Sequence, residues 1–239
     1  MIISTWVRRL AAGGTACALL AGGTMVVAAP AASAAVTCRA YTVIAVRGTN
    51  ESGTIGTRLP TTISAISARK GSGKVLGVGV SYPASLNYLA SMSTGRANLK
   101  SVITSYLNNC RSTRLMLIGY SQGAHIVGDV AVGLSSAQRS RVAGIGLIGD
   151  PMFNPKLSGS VTKNGSLGGM WGKRASWPSG LYVTDVCNNS DKVCASTDLP
   201  GSLAGMAKPN HQNYTTTAYS PVSGRSGANA IGYNLGGRA

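Results

Sequence analysis

The sequence predicts an α/β fold, a three-layer α/β/α sandwich around a central, mostly parallel sheet. Apolar, β-branched runs alternate along the chain with segments of helical periodicity. A G-x-S-x-G pentapeptide, residues 119–123, stands between one such run and the helical segment after it. Since parallel strands need a crossover between them, this alternation favours a sheet covered by helices on both sides.

We expect residues 1–34 to be a secretory signal peptide and residues 35–239 to form a single domain. Arg8 and Arg9 give a positive start, the following segment is apolar and rich in small residues, and an Ala-Ser-Ala sequence precedes the expected cleavage site. A membrane anchor is the alternative, but glycines interrupt the apolar run. The mature protein is therefore expected to be secreted and extracellular. The general secretory and twin-arginine export routes both stay open.

The elements follow in a regular order. The segments expected to be strands are Tyr41–Val46, 75–82, 114–119, Val142–Ile148 and 181–186. Apolar spacing predicts helices at Leu59, Ile63 and Ile66, then over 99–107, then on the face formed by Gly123, Val127, Val130, Ala131 and Leu134. Residues 155–180 read as a long surface loop whose Trp171 and Trp177 either contact substrate or pin the loop. A last helix is expected in the glycine-rich tail after Tyr219.

Four of the five cysteines remain once residues 1–34 are removed. These are Cys38, Cys110, Cys187 and Cys194. An even number in an exported chain predicts two disulfides, for which three pairings are possible. A metal site would need C-x-x-C pairs or nearby histidines, which the sequence lacks. We therefore expect neither a metal nor a cofactor.

The chain is strongly basic, with 22 Lys and Arg against 6 Asp and Glu and a formal charge of +16. Such a charge predicts attraction to anionic envelope or polymer surfaces. Nucleic acid is not expected as a partner, because the basic residues are scattered and no nucleic-acid motif is present. We expect a monomer.

Ser121 is the candidate nucleophile. The two glycines around it allow the sharp strand-to-helix turn of a nucleophile elbow, which presents the serine above the sheet. The backbone N–H of Gln122 would lie beside a developing oxyanion. The second donor should come from the loop after the first strand, where Thr49 is the candidate.

A serine needs a base, and the chain has two histidines. His125 lies only four residues after Ser121, on the following helix, where it is poorly aimed at the serine hydroxyl. His211 comes late, in a polar loop, and matches the order Ser, acid, His of α/β-hydrolases. We expect His211 to be the base.

The acid must lie between Ser121 and His211, and the candidates are Asp129, Asp150, Asp185, Asp191 and Asp198. Asp129 belongs to the elbow helix, and Asp150 closes a strand where it would cap a turn. Asp191 lies between Cys187 and Cys194, and a disulfide closing that short loop would hold its carboxylate rigidly. We favour Asp191.

These motifs resemble the cutinase family of serine esterases, over about residues 38–214. The resemblance rests on Arg-Gly-Thr-Asn-Glu at residues 47–51, Gly-Tyr-Ser-Gln-Gly-Ala at 119–124, and the Cys187, Asp191, Cys194 arrangement before the histidine. It implies an α/β-hydrolase fold with little or no lid and the bridges Cys38–Cys110 and Cys187–Cys194. By matching position it implies Ser121 as nucleophile, His211 as base, Asp191 as orienter, and Thr49 with Gln122 as oxyanion hole. Two departures are a long interval between Asp191 and His211 and a polar residue after His211.

The predicted function is a secreted carboxylic-ester hydrolase that works through an acyl-enzyme on Ser121. Its substrates would be short- to medium-chain or polymeric esters of lipid, polyester or acylated sugar. The alternatives of the same fold are an acetylxylan or acetyl esterase and a phospholipase or acyltransferase. A non-catalytic basic protein that binds envelope or polymer is the alternative of a different class.

Overall fold

The structure is a computed structural model that describes residues 36–162, 168–196 and 208–238. The expected signal peptide lies outside these residues, as does Asp198. The described strands are β1 (Tyr41–Val46), β2 (Val75–Gly79), β3 (Arg114–Tyr120), β4 (Val142–Ile148), β5 (Ser160–Val161) and β6 (Val183–Val186). They form one sheet in the order β2-β1-β3-β4-β6-β5, and every neighbouring pair is parallel.

Helices connect most of these strands. In the described part of the chain they are α1 (Leu59–Lys70), α2 (Tyr88–Asn109), α3 (Gln122–Val132), α4 (Ser136–Arg139), α5 (Pro209–Gln212) and α6 (Gly227–Gly236). Within the same residues, no helix combines the length and hydrophobicity that a membrane span requires.

The core lies on both faces of the sheet, because successive side chains of a strand point to opposite faces. Ile44 and Leu117 are fully buried with residues of α2 and α3 on one face. Val43 and Ile118 are fully buried with residues of α1 and α6 on the other. The three-layer α/β/α arrangement is thus the predicted one, and the continuous apolar runs of β1 and β3 exist because both of their faces are covered.

Strand β2 ends earlier than the sequence predicts, at Gly79 rather than Tyr82. It is an edge strand, so its outer carbonyls have no neighbouring strand to bond. The Arg47 guanidinium donates to the Tyr82 carbonyl at 2.6 Å, and the Tyr82 hydroxyl donates back to the Arg47 carbonyl at 2.6 Å. Side-chain bonds from the turn after β1 therefore replace the last ladder positions.

The loop between β4 and β6 contains a strand that the sequence does not predict. β5 is two residues long and pairs with Asp185 and Val186 of β6. Polar Ser160 and the short length hide it from any periodicity. The rest of the described loop is irregular, and the tail helix expected after Tyr219 is present as α6.

Both tryptophans of the loop pin it to the body of the domain, one of the two roles considered for them. The Trp171 ring stacks on the Tyr88 ring with centroids 5.2 Å apart and planes 10° from parallel. The Arg174 guanidinium carbon lies 5.2 Å from the Trp177 ring centroid. Both indoles also pack against the core on the α2–α3 side.

Candidate active site

Ser121 stands on a sharp turn between β3 and α3. Its φ of 54° and ψ of −121° lie in a region that a residue with a side chain rarely adopts, at a cost of about 1–3 kcal/mol. The turn is held by bonds from the Ser121 N–H to the Ile148 carbonyl at 2.8 Å and from the His125 N–H to the Ser121 carbonyl at 3.0 Å. A side chain at Gly123 would collide with the Val46 carbonyl oxygen, so the second glycine of the pentapeptide is a steric requirement.

The Ser121 hydroxyl meets the late histidine. The distance between Ser121 Oγ and His211 Nε2 is 2.9 Å, and the two residues are 2% and 1% exposed. This length is that of a hydrogen bond in which a serine hydroxyl donates to a neutral imidazole. The structure therefore brings together the nucleophile and base that the sequence predicts.

Asp191 lies on the other side of the same imidazole. Its Oδ2 is 2.9 Å from His211 Nδ1, and its Oδ1 accepts a bond from the Val193 N–H at 2.9 Å. Asp191 is fully buried. A carboxylate in this position fixes the Nδ1–H tautomer, which leaves Nε2 free to accept a proton.

Tyr214 is a second partner of this carboxylate, and sequence reasoning missed it. Its hydroxyl donates to Asp191 Oδ2 at 2.5 Å and accepts from the Asn188 N–H at 2.9 Å. Burial, followed by the charge of Asp191, raises the pKa of Tyr214 well above its usual value, so the phenol stays a donor. The only sequence signal was a bulky aromatic residue three positions after the predicted histidine.

His211 lies on the short helix α5, not in the irregular loop that the sequence predicts. Pro209 sets the first turn of this helix, for which its fixed φ is suited. The Tyr120 ring stacks against the imidazole with centroids 5.2 Å apart, and the Tyr120 hydroxyl donates to the His211 carbonyl at 3.0 Å. Tyr120, the residue before the nucleophile, therefore also helps to hold His211 in position.

The turn after β1 lies beside the elbow. A Cβ at Gly48 would be 3.3 Å from the Ser121 Cβ, which places the backbone next to Thr49 at the site. The Thr49 Oγ1 is buried and has no hydrogen-bond partner in the described part of the chain. Gln122 begins α3, so by position its backbone N–H has no partner within the helix.

Glu51 organises that turn. Its carboxylate accepts bonds from the Gly48 N–H at 2.7 Å, from the Thr57 N–H at 3.0 Å and from Arg58 at 2.8 Å. Burial acts to raise the pKa of Glu51, but these bonds outweigh it, and the net effect is a lowered pKa. The glutamate is therefore held as an anion.

Arg58 joins this turn to the histidine helix. Besides the ion pair with Glu51, its Nε donates to the Gln212 carbonyl at 2.9 Å, and its guanidinium carbon lies 4.9 Å from the Tyr120 ring centroid. Neither Glu51 nor Arg58 was singled out for a catalytic or positioning role from the sequence. The sequence drew attention to this turn only through Thr49 as a candidate oxyanion donor and through the resemblance in residues 47–51.

The Gln122 side chain ties the elbow to the first turn of α2 and to the segment before it. Its Oε1 accepts from the Ser91 hydroxyl at 3.0 Å, and its Nε2 donates to the Ser85 carbonyl at 3.2 Å. Leu86 lies just before α2 and Leu89 in its first turn, and these residues are 55% and 70% exposed. An apolar surface therefore begins close to the oxyanion side of the elbow.

His125 points away from the serine. Its Nδ1 is 3.0 Å from the Tyr88 hydroxyl, and its Nε2 is 3.6 Å from an Asp129 carboxylate oxygen. Asp129 is already paired with Arg96 at 3.1 Å and Arg174 at 3.0 Å. Burial lowers the pKa of His125. These contacts agree with the expectation that His125 is poorly aimed at the serine hydroxyl.

The remaining described acid candidates lie elsewhere. Asp150 Oδ1 accepts from the Met152 N–H at 2.9 Å, the turn-capping role expected for it, and Oδ2 pairs with Arg174 at 3.1 Å. Asp185 is buried within β6, and burial together with the charge of Asp150 raises its pKa well above the usual value. Neither carboxylate bonds a histidine in the described residues.

Two disulfides join Cys38 to Cys110 and Cys187 to Cys194, the pairing that the resemblance implies. The second closes a loop with a sequence separation of 7, and Asp191 lies inside it. Among the described residues, no group of three or more His, Cys, Asp or Glu side chains could hold a metal ion.

Comparison with known proteins identifies relatives over most of the chain. The family model described as Cutinase matches residues 37–222. A cutinase of Hypocrea jecorina is 30% identical over 165 residues, 68% of this chain, and the chain spans only 59% of the length of that relative. A cutinase of Botryotinia fuckeliana is 29% identical over 197 residues, 81% of this chain and 87% of the relative.

Solved structures give the same picture. An acetylxylan esterase structure matches with a TM-score of 0.66 and 27% identity, covering 84% of this chain and all of that one. A cutinase-like protein from Cryptococcus sp. matches with a TM-score of 0.65 and 27% identity, covering 87% of this chain and 99% of that one. Two names, cutinase and acetylxylan esterase, thus occur among proteins of this fold.

Proposed function

The chain belongs to the cutinase family, and we propose that it hydrolyses carboxylic esters through an acyl-enzyme on Ser121. The observation that carries the proposal is the buried series of hydrogen bonds from Ser121 through His211 to Asp191. A serine alone is a weak nucleophile, and a base oriented by a carboxylate is the arrangement that activates it.

The geometry supports the following steps. His211 Nε2 accepts the Ser121 proton as Oγ attacks the ester carbonyl carbon, and Asp191 stabilises the imidazolium that forms. The tetrahedral intermediate collapses when Nε2 returns the proton to the leaving alcohol oxygen. A water molecule, deprotonated by the same nitrogen, then attacks the acyl-enzyme and releases the acid. No metal or cofactor is needed for these steps.

We propose the backbone N–H of Gln122 and the Thr49 N–H and hydroxyl as the oxyanion hole. Support comes from the place of Gln122 at the start of α3 and from the buried, unpartnered Thr49 Oγ1 in the described chain. Donors held in place before the reaction stabilise developing charge without reorganisation, and one such donor accounts for about 3–4 kcal/mol of barrier lowering.

For the substrate we propose short- to medium-chain or polymeric esters. Leu86 and Leu89 offer an apolar surface for the acyl chain near the elbow. An acetyl or acetylxylan esterase is the second candidate, because an acetylxylan esterase of Talaromyces purpureogenus is 32% identical over 144 residues and an acetylxylan esterase structure is among the structural matches.

We also propose that the protein is secreted and monomeric. Two disulfides suit an oxidising compartment outside the cytoplasm. The sequence pattern of residues 1–34 supports the same proposal. Attraction of the basic chain to an anionic envelope or polymer belongs to this proposal as well.

The test is hydrolysis of p-nitrophenyl esters with acyl chains from C2 to C16 by the mature protein and by Ser121→Ala. We expect turnover by wild type and a loss of about a thousandfold or more in the variant. The chain-length profile separates the two substrate candidates, since an acetyl esterase would prefer C2. An inert wild type that a fluorophosphonate also fails to label would favour the non-catalytic binding protein instead.

A further inference from the structure

The acidic residues of the chain are distributed unevenly along the sequence. No Asp or Glu occurs between Glu51 and Asp129, or anywhere after Asp198. Helices α1 and α6, which pack together on one face of the sheet, therefore contain no carboxylate. Arg58, just before α1, pairs with Glu51, but Arg69, Lys70, Arg225 and Arg238 of this layer form no ion pair among the described residues.

Two of these cations flank one tyrosine. The guanidinium carbons of Arg69 and Arg225 lie 3.8 and 4.0 Å from the centroid of the Tyr233 ring, which is 42% exposed. Neither arginine forms an ion pair within the described residues. Two positive charges are thus held beside the same ring, and an anion bound there would be attracted by both.

A cavity of about 370 Å³ opens at this pair, and we call it the α1–α6 cleft. Its polar lining consists of the two arginines and Tyr233 with Thr215, Thr217, Ser226 and Asn229. Arginine forks and hydroxyl donors together match the several oxygens of a tetrahedral oxyanion better than the two oxygens of a carboxylate. The hydrogen bond and charge of Arg69, with the charge of Arg225, also lower the pKa of Tyr233, as expected where the potential is positive.

Two further cations adjoin residues near the cleft: Lys70 follows Arg69 at the end of α1, and Arg238 follows Gly237, where a Cβ would be 3.2 Å from an Arg69 guanidinium nitrogen. The Lys70 Nζ lies 4.3 Å from the Tyr41 ring centroid, and the Arg238 guanidinium carbon lies 3.5 Å from the Tyr182 ring centroid. Each cation is thus held in place by contact with an aromatic ring. Several cations fixed on one helical layer suit a ligand with repeated negative charges.

We propose that the α1–α6 cleft binds a phosphate group of a soluble, phosphate-bearing polymer. A membrane surface fits less well, because Tyr233 is the only large exposed apolar or aromatic side chain of the described residues on this layer. Ser121 lies at the carboxyl end of β3, outside the cleft, so polymer binding leaves the serine open to substrate. The protein would be held on the polymer while it acts on esters.

The test is binding of labelled inorganic polyphosphate to the mature protein, followed by fluorescence anisotropy over a range of salt concentrations. We expect the double variant Arg69→Gln, Arg225→Gln to bind about tenfold more weakly or worse. The slope of the logarithm of its affinity against the logarithm of the salt concentration should become shallower by about one to two units. The matched control is Lys100→Gln with Arg111→Gln, which removes the same charge from α2 and the turn after it. We expect it to change affinity less than about threefold.

Three results would overturn the proposal. They are equal weakening by both double variants, absence of binding at physiological salt, and binding only to vesicles of phosphatidylglycerol with phosphatidylcholine. Equal weakening would mean that net charge alone attracts the polymer. Ester hydrolysis of a soluble p-nitrophenyl substrate, measured on the same samples, checks that the variants are folded.

Discussion

The molecule contains two histidine–aspartate pairs, and their difference shows what makes one of them suited to catalysis. His211 lies 2.9 Å from Asp191, and His125 lies 3.6 Å from Asp129. The other ring nitrogen faces a serine hydroxyl in the first case and the Tyr88 hydroxyl in the second.

The decisive difference is which groups each carboxylate bonds besides its histidine. Asp129 is bonded by two guanidinium groups, whereas Asp191 accepts bonds from the Val193 N–H and the Tyr214 phenol besides its contact with the histidine. The charge of Asp129 is thus already compensated, while that of Asp191 is available to stabilise an imidazolium. A nearby carboxylate is therefore not enough to make a histidine a base.

The largest expected effect comes from neutralising the two aspartates. Asp191→Asn should lower kcat by about 10³- to 10⁴-fold, because the amide favours the wrong histidine tautomer. Asp129→Asn should change kcat only a few-fold but lower the free energy of unfolding by about 1–3 kcal/mol, since Arg174 loses a partner. Ester kinetics and urea unfolding of both variants measure this. Equal losses of kcat would remove the distinction between the pairs.

The two disulfides sharpen the comparison of the histidine–aspartate pairs, because only Cys187–Cys194 closes a loop that contains one of the two aspartates, Asp191. In the loop-entropy model, replacing both cysteines by serine costs about 2.5 kcal/mol for Cys187–Cys194 and about 4.4 kcal/mol for Cys38–Cys110. We expect activity to follow the opposite order. The folded protein without Cys187–Cys194 should lose kcat about tenfold or more, and the protein without Cys38–Cys110 should keep it. An activity that simply follows stability would contradict this.

Arg58→Gln tests the contacts that hold the His211 helix beside the turn after β1. We expect kcat to fall about tenfold with little change in KM, because Glu51 and the Gln212 carbonyl lose their shared donor while substrate contacts remain. Arg58→Lys should restore part of the activity, and Arg111→Gln is the charge-matched control. A wild-type kcat in Arg58→Gln would show that the turn and α5 hold their positions without this contact.

The smallest effect concerns the pH dependence of stability. Glu51 and Asp185, two buried carboxylates that belong to neither histidine–aspartate pair, should change the free energy of unfolding in opposite directions as pH rises. Glu51 has a lowered pKa in the fold, so its stabilisation is present above the unfolded pKa of about 4.3 and is lost as pH falls through the folded value. Glu51→Gln should therefore cost about 1–3 kcal/mol at neutral pH and progressively less in acid.

Asp185 has a raised pKa, so its contribution is fullest below the unfolded pKa of about 3.9 and declines as pH rises toward the folded value. Asp185→Asn, which keeps the shape of the neutral acid, should be more stable than wild type at neutral pH and equal to it near pH 3. Urea unfolding across pH 3 to 8 checks both variants. Parallel pH profiles for the two would contradict these assignments.

The sequence was sufficient for the fold class and the family because the apolar runs of β1 and β4 and the elbow pentapeptide are local patterns. It also suggested which serine, histidine and aspartate to test, since few acids and two histidines are available. The roles of those residues stay predictions.

What the sequence could not provide depends on contacts between distant residues. Tyr214 reaches Asp191 across 23 positions, and Arg58 reaches Gln212 across 154. Strand β5 is two residues long and forms only because β6 offers a free edge. Arg69 and Arg225 are brought to one ring by the packing of α1 on α6, which no local pattern reveals.

The most direct test of the account is the matched pair His211→Gln and His125→Gln, assayed for p-nitrophenyl butyrate hydrolysis after circular dichroism has shown both to be folded. We predict that His211→Gln lowers kcat by about a thousandfold or more while His125→Gln stays within a few-fold of wild type. The opposite result, retained activity in His211→Gln and a loss of about a thousandfold in His125→Gln, would contradict the account and assign the base to His125.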